Sequence, residues 1–372
     1  MALKFDIKQF CTVPPPYGGV TVFVSRLIRQ LTKDGYKVGG YYSSNNIIES
    51  PLFDKWTWME TSLFPIKIWK YVRETRHYKI IHSHFSLEGM IYLWTLKNFF
   101  GKKIIVSIHN AMCSSYYKST NPINRFFLKL MLNSDVCWIA VSEQGREQLL
   151  KFPVKIKSPI YVIPPYIPDL YSEDSNLSKD MQDYINHHKK IIVFYAHSFM
   201  KSDGKDVYGL EIALKVYSKL VKEYTDLGLI FCLAETKDSK RIAELHQMAI
   251  NLQINDKIFW QIGAIDNMRS LWKEVHIYFR PTSTDGDSIA IREALDNGVI
   301  VIASNVTDRP DGVMIYNYND IDDGIKKIKK GLTMSRNICK PDMKYYNRLK
   351  SIYDKLLLNK KDENSIFNRL FR

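Results

Sequence analysis

The stretch from Arg280 to Gly298 holds the residue types best suited to chemistry. Two carboxylates, Asp285 and Glu293, stand eight positions apart in it. Arg280 closes an apolar run that starts at His276. Asp285-Gly286-Asp287-Ser288 has the composition of a turn that supplies helix N-caps. Ile289 to Asn297 has helical spacing, and Gly298 fits the stop position. A helix N-terminus is therefore expected at the carboxyl end of a strand. Free N–H groups and the helix dipole favour an anion there. The backbone of Gly286, Asp287, Ser288 and Ile289 would supply the donors. The bland alternative is an acidic cap followed by a solvated glutamate. Asp285-Gly286-Asp287 also has the form of a D-x-D motif, in which two close carboxylates hold Mg²⁺ beside phosphates. The turn-to-helix context favours direct amide binding, so no metal is expected.

Other candidates are weaker alone. Pro16-Tyr17-Gly18-Gly19-Val20 follows a first strand and precedes helical spacing from Thr21 to Leu31. Two glycines there let a backbone approach a ligand, although a plain tight turn is the more frequent explanation. His109-Asn110 ends an apolar run, as do His82 and His84 in Ile81-His82-Ser83-His84 and Ser142-Glu143 further on. A histidine at a strand end is commonly a structural hydrogen-bonder.

These residues need a scaffold, and the hydrophobic pattern supplies one. Strand-like runs alternate with helix-like ones, as in parallel α/β architecture. The first series is Lys4–Cys11, Lys37–Tyr42, Ile80–His84, Lys103–His109, Val136–Val141 and Ile160–Ile163. Pro164-Pro165-Tyr166-Ile167-Pro168 then reads as a stiff connector. After a partly helical polar segment around Met181–His187, a second series follows. It comprises Ile191–Tyr195, Leu229–Ala234, Ile258–Gln261, Ile277–Arg280, Val299–Ala303 and Val313–Tyr316. A chain of 372 residues is long enough for two ordinary domains, each with its own core. Hydrophobic content of 45% and charged content of 25% match a globular protein. Five scattered cysteines form no metal spacing and suggest a reducing compartment. No apolar run reaches the ~18 residues of a membrane span, and the start, with Asp6 inside it, does not read as a signal peptide.

The Asp285–Glu293 spacing resembles the E-x7-E element of family 4 glycosyltransferases. The resemblance spans about residues 10–320, with this element its specific part. It implies a GT-B fold, two Rossmann-like domains facing a cleft. The expected division is 1–165 with a returning C-terminal helix (about 345–372, with Tyr345 to Leu358 as its core) and a nucleotide-sugar domain at 166–344. It further implies that the 286–289 amides hold the donor diphosphate, that Glu293 bonds the ribose, and that Asp285 faces the donor sugar. Gly18 and Gly19 resemble the family's glycine loop, and His109 the histidine that contacts the donor sugar. The family retains anomeric configuration, and needs no divalent metal and no cofactor beyond the donor. Two departures stand out. Asp285 replaces the usual Glu. The usual Gly-Arg and Lys of the second domain become Tyr195-Ala196-His197, with Lys205 matching the Lys and Lys201 as runner-up. Lys replaces a guanidinium clamp only as a point charge, so Arg280 or Arg292 would have to compensate. On this reading His109, Asp285 and Lys205 are the catalytic candidates. Gly18, Gly19, His197, Lys201, Arg280, Gly286, Asp287, Ser288, Ile289 and Glu293 bind the donor.

Charge is unevenly spread. Residues 1–165 carry 22 Lys and Arg against 10 Asp and Glu, a net of +12, and residues 166–372 carry 31 against 29, a net of +2. Lys67, Lys70, Arg73 and Arg76 form a drifting helical stripe flanked by Trp69 and Tyr71, and Asn124-Arg125-Phe126-Phe127-Leu128-Lys129 is similar. Each alone is an ordinary solvated face. Within so basic a half they suggest docking to an anionic membrane, and no nucleic-acid motif competes. The expected activity is transfer of a sugar to a glycan hydroxyl, polyprenyl-linked, in bacterial surface polysaccharide or lipopolysaccharide assembly. It would take place in the cytoplasm at the inner membrane face. The alternatives are a nucleotide-sugar epimerase of the same fold and a non-catalytic nucleotide-sugar-binding protein.

Overall fold

The computed structural model describes residues 5–15, 18–43, 52–55, 64–84, 87, 89–109, 113–170, 176–234, 236–263, 265, 268–338 and 341–358. Pro16, Tyr17, Asn110 and the stretch 359–372 lie outside them. The chain divides into one unit of Met1–Ile167 with Met343–Arg372 and another of Pro168–Asp342.

The strands of the first unit are β1 (Phe5–Thr12), β2 (Val38–Tyr42), β3 (Phe53–Lys55), β4 (Tyr78–Ser83), β5 (Lys103–Ile108), β6 (Cys137–Ala140) and β7 (Ile160–Val162). Its helices are α1 (Gly19–Lys33), α2 (Phe64–Thr75), α3 (Met90–Phe100), α4 (Cys113–Ser119), α5 (Pro122–Leu132) and α6 (Glu143–Leu150). Among the described residues the strands form one parallel sheet in the order β3-β2-β1-β4-β5-β6-β7. Central β1 is buried from Ile7 to Cys11, as a strand covered on both faces must be. α1 buries Phe23, Val24, Leu27, Ile28 and Leu31, an apolar stripe at helical spacing.

The second unit contains β8 (Lys190–Ala196), β9 (Lys201–Ser202), β10 (Lys205–Asp206), β11 (Leu227–Leu233), β12 (Ile258–Ile262), β13 (Ile277–Arg280), β14 (Ile300–Ser304) and β15 (Met314–Tyr316). Its helices are α7 (Lys179–Asn186), α8 (Leu210–Leu220), α9 (Ser239–Asn251), α10 (Met268–Glu274), α11 (Ile289–Asp296) and α12 (Ile321–Leu332). The main sheet is again parallel, in the order β12-β11-β8-β13-β14-β15. A last helix, α13 (Lys344–Leu358), returns to the first unit. It buries Tyr346, Leu349, Ile352 and Tyr353 at helical spacing, and Lys350 and Tyr346 both reach Asp34.

In each sheet the chain builds outward on one side of the first strand and then crosses to the other. The reversal falls between β1 and β4 in one unit and between β8 and β13 in the other. Such switch points open a crevice at the carboxyl ends of the strands, where α/β units take ligands. The Gly18 loop and His84 follow β1 and β4. His197 and Arg280 end β8 and β13.

Sequence periodicity finds the long strands to within a few residues, but not β3 or the β9–β10 hairpin. β3 has only three residues at the sheet edge. The hairpin turns through Asp203 and Gly204, both at positive φ, with Ser202 paired to Lys205. This is the two-residue turn that Asp-Gly favours, but two-residue strands carry no alternation to read.

Candidate functional site

In the second unit the site is built on the β13–α11 connection. Ser288 occupies the N-cap of α11 with extended backbone, and its side chain makes no capping bond. Asp287 does not cap either. Both its carboxylate oxygens accept from Nε of Arg292, at 2.9 and 3.0 Å. Burial raises the Asp287 carboxyl, and Arg292 only partly offsets this. The first turn of α11 also contains no acidic residue. Its amides therefore keep the positive end of the helix dipole without an internal counter-charge. On the same helix, Oε2 of Glu293 accepts from the indole Nε1 of Trp272 at 3.4 Å. Trp272 is fully buried, which fixes that side of the carboxylate.

Asp285 has partners that the sequence did not reveal. Arg280 grips it with two bonds, Nε to Oδ2 at 2.7 Å and Nη2 to Oδ1 at 2.9 Å. Arg309 adds a third, Nη1 to Oδ2 at 2.6 Å. The Arg309 side chain is 1% exposed and also donates to the Ser304 carbonyl, Ser304 Oγ and Thr282 Oγ1. The remaining bond of Arg280 goes to the hydroxyl of Tyr278. Burial acts to raise the Asp285 carboxyl, and the two guanidinium groups more than reverse it, holding it below the usual carboxylate range. Asp285 is thus a counter-ion within the loop. Arg280 and Arg292, expected to stand in for a missing phosphate clamp, are each committed to an aspartate. Both carboxylates of the D-x-D stretch are occupied by guanidinium groups.

The cations without such commitments lie at the end of β8. His197, Lys201 and Lys205 are all exposed, and among the described residues none makes a side-chain hydrogen bond or ion pair. Lys201 and Lys205 occupy the two arms of the hairpin. Asp206, next to Lys205, accepts from the Tyr208 and Leu210 amides and so caps α8. Gly209 precedes α8 at φ +74°, and a Cβ there would lie 2.1 Å from the Pro281 carbonyl. Only glycine allows that approach, which sets the hairpin connection against the β13 loop.

In the first unit Gly18 is the N-cap of α1, and its amide donates to Thr21 Oγ1 at 3.0 Å. Its backbone is extended and a Cβ would make only ordinary contact with Thr21, so the protein itself does not demand glycine at 18. Gly19 begins the helix and is exposed. His109 follows β5 and is half-buried. Its Nε2 lies 3.1 Å from Nδ1 of His84. His84 continues through Nε2 to Gln9 Oε1 at 2.8 Å, and Gln9 Nε2 donates to the Tyr353 hydroxyl at 3.1 Å. Tyr353 meets Nδ1 of His82 at 2.6 Å, and Nε2 of His82 meets Ser107 Oγ at 2.8 Å. Burial depresses all three histidines, His109 to about 4 and the other two well below their ordinary value. The sequence singled out the histidines but not Gln9 or Tyr353. Tyr353 joins them only because α13 returns.

Residues 17–169 match the family model of glycosyltransferase family 4. This part of the chain is a family 4 glycosyltransferase domain. No curated protein matches the chain by sequence. Among solved structures, a glycosyltransferase from Rickettsia africae aligns with a TM-score of 0.69 at 16% identity, covering 96% of this chain and 100% of that one. A sucrose-phosphate synthase from Thermosynechococcus elongatus aligns at 0.68 and 15%, covering 95% and 99%. The Anabaena protein HepE, in complex with UDP and glucose, aligns at 0.65 and 12%, covering 98% of each chain. At these identities the likeness is one of fold. Two parallel α/β units aligned over almost the whole chain make the fold GT-B. The family 4 domain contains Gly18, Gly19, His82, His84 and His109. The Asp285–Glu293 stretch lies outside the matched residues.

Proposed function

We propose that the chain is a retaining glycosyltransferase that moves a sugar from a nucleotide diphosphate donor to a hydroxyl of a polyprenyl-linked glycan, in assembly of a bacterial surface polysaccharide. One observation carries this reading. The uncapped N-terminus of α11 stands at the switch point of its sheet, with Glu293 held by Trp272 one turn in. In glycosyl transfer from such donors the main demand is stabilisation of charge on the leaving diphosphate, which preorganised amides and cations meet. The Gly286 amide, expected among the donors, is taken by Oδ1 of Asp285 at 3.1 Å, so the amides of residues 287–289 are the donors, and Lys205, Lys201 and His197 the exposed cations. Glu293 receives the ribose hydroxyls. Asp285 acts on the sugar side indirectly, by holding Arg280 and Arg309 in place. Because guanidinium groups occupy Asp285 and Asp287, the reading needs no divalent metal.

The acceptor is proposed to lie at a membrane. Among the described residues no helix is long and apolar enough to cross one. The first unit instead exposes apolar groups on adjoining helices, since α3 packs against both α2 and α5. α2 presents Ile66 and Trp69 (70% exposed), α3 presents Phe99, and α5 presents Ile123 and Phe126. Ile66, Trp69 and Arg73 fall on one stripe of α2, and Arg76 follows in the turn after it. Tyr71, expected beside them, is buried in the core, and Lys70 is paired with Glu74. The supporting set is therefore apolar in its centre and basic towards the end of α2, a pattern suited to an anionic headgroup layer. The site of action would be the cytoplasmic face of that membrane.

The test is release of free nucleotide from a panel of nucleotide sugars, UDP-sugars first, with and without polyprenyl-linked glycan and EDTA. Acceptor-dependent release that survives EDTA is expected. A second reading is favoured by the engagement of Asp285 and by His197 in place of arginine: a nucleotide-sugar-binding protein without turnover, which would bind donor and release nothing. Consumption of donor without acceptor would point to an epimerase.

A further inference from the structure

Ser107, His82, Tyr353, Gln9, His84 and His109 form one hydrogen-bonded chain, whose polarity follows from the orientation of the Gln9 amide. Gln9 Nε2 donates to the Tyr353 oxygen, which leaves the Tyr353 hydroxyl proton available to Nδ1 of His82. Nε2–H of His82 then donates to Ser107 Oγ. The other end of the Gln9 amide is Oε1, an acceptor only, so His84 must carry its proton on Nε2. A neutral imidazole has one N–H, which leaves Nδ1 of His84 as an acceptor. His109, 3.1 Å away, must therefore donate from Nε2. Its other nitrogen, Nδ1, is left with a lone pair. Among the described residues Nδ1 of His109 has no hydrogen-bond partner, and the residue is half-buried. Among the described residues no carboxylate bonds to any of the three rings. Phe23 packs on the rings of both His84 and His109, and the His82 and His84 rings lie 4.0 Å apart. The surroundings thus favour three neutral rings, consistent with their depressed proton affinities.

We propose that Gln9, His84 and Tyr353 are positioning residues that fix His109 as the Nε2–H tautomer, so that Nδ1 is presented as an acceptor for a hydroxyl of the bound sugar. The hydroxyl part rests on the donor reading above; the tautomer part does not. An acceptor of fixed polarity selects an O–H group and rejects a carbonyl or ether oxygen at the same place. Reversing the Gln9 amide would reverse every bond in the chain and turn His109 Nδ1 into a donor, so the whole assignment stands or falls together.

Long-range ¹H–¹⁵N correlation of the imidazoles in the uniformly ¹⁵N-labelled full chain at neutral pH reads this directly, with His109→Gln identifying the resonances. The expected pattern for His109 is a protonated Nε2 and an unprotonated Nδ1. A protonated Nδ1, or an averaged pair, overturns the inference. Tyr353→Phe keeps the ring in place but releases the Gln9 amide, and should shift both His109 nitrogens toward a common average. Gln9→Glu, which keeps an acceptor for His84, should restore the parent pattern relative to Gln9→Leu. An unchanged His109 pattern in both Tyr353→Phe and Gln9→Leu overturns the positioning role. With UDP-glucose as the probe, at saturation established by calorimetry, the Nδ1 resonance should move as it accepts a bond. A stationary Nδ1 in that sample overturns the ligand part. In Tyr353→Phe, kcat/KM for the donor should fall roughly three- to tenfold, as for loss of one hydrogen bond, while UDP affinity stays as in the parent. Failure of the donor reading itself would look different: no nucleotide sugar binds, while the tautomer pattern of the free protein remains as assigned.

Discussion

Asp285 balances two buried guanidinium groups, so its loss should be felt in stability before it is felt in turnover. Asp285→Asn leaves Arg280 and Arg309 short of their counter-charge, and breaking a buried pair of this kind costs about 3–5 kcal/mol. A thermal melt should show a large fall in midpoint. An unchanged midpoint with lost turnover would return Asp285 to direct contact with the sugar. The pH dependence has a definite sign. The folded carboxyl is held below its unfolded value, so its stabilisation is complete above about pH 4 and is lost as pH falls through the depressed value. The variant should lack that acid limb. Glu293→Gln should act differently, with little change in the melt. Nucleotide affinity should fall by about 1.5–3 kcal/mol, the usual worth of a hydrogen bond to a charged group. Equal affinities by calorimetry would remove Glu293 from the ribose. The spacing of these two carboxylates was legible because turn residues, cap and stop glycine are all local. The partner of Asp285 was not. Arg309 lies 24 residues further on, in the loop after β14, where no periodicity places it.

At the scale of elements, α2, α3 and α5 of the first unit present the apolar and basic groups proposed to meet a membrane. Each Lys or Arg near an anionic leaflet is worth about 1 kcal/mol, screened within a Debye length. Binding to anionic liposomes should therefore weaken steeply with salt and be nearly absent on neutral ones. Replacing Trp69 and Phe126 by Ser, or Lys67, Lys70, Arg73 and Arg76 by Glu, should release the protein. Donor hydrolysis should persist. Sedimentation of both variants like the parent would leave these helices as plain solvated faces. Alternating apolar runs made the long parallel strands readable from sequence, and helical spacing made α1, α11 and α13 readable. β9 and β10 were hidden because the lysines on their arms are exposed and contribute no core. The sequence also marked Tyr71 as a surface aromatic, because helical spacing alone did not show which flank of α2 faces the core. Tyr71 packs edge-on against Phe10 and Tyr92.

At the scale of the whole chain, the first unit is discontinuous, interrupted by the entire second unit. Tyr353 supplies the link between Gln9 and His82, and Tyr346 and Lys350 hold Asp34. Truncation after Asp342 should therefore lower hydrogen-exchange protection in β1 and β4 while leaving β8 and β11 as protected as in the full chain. Equal loss in both sheets would mean that α13 serves the two alike. Order of synthesis follows from the same connectivity. On the ribosome, residues 168–342 leave the exit tunnel, and can begin to fold, before α13 does. The segment 5–167 leaves the exit tunnel earlier but must wait, with β1, β4 and their buried histidines lacking a partner, until the turn of α13 that carries Tyr353 has been made. The half of the protein translated first is thus the half finished last, and a nascent chain stalled in the second unit would expose the groove that α13 later fills.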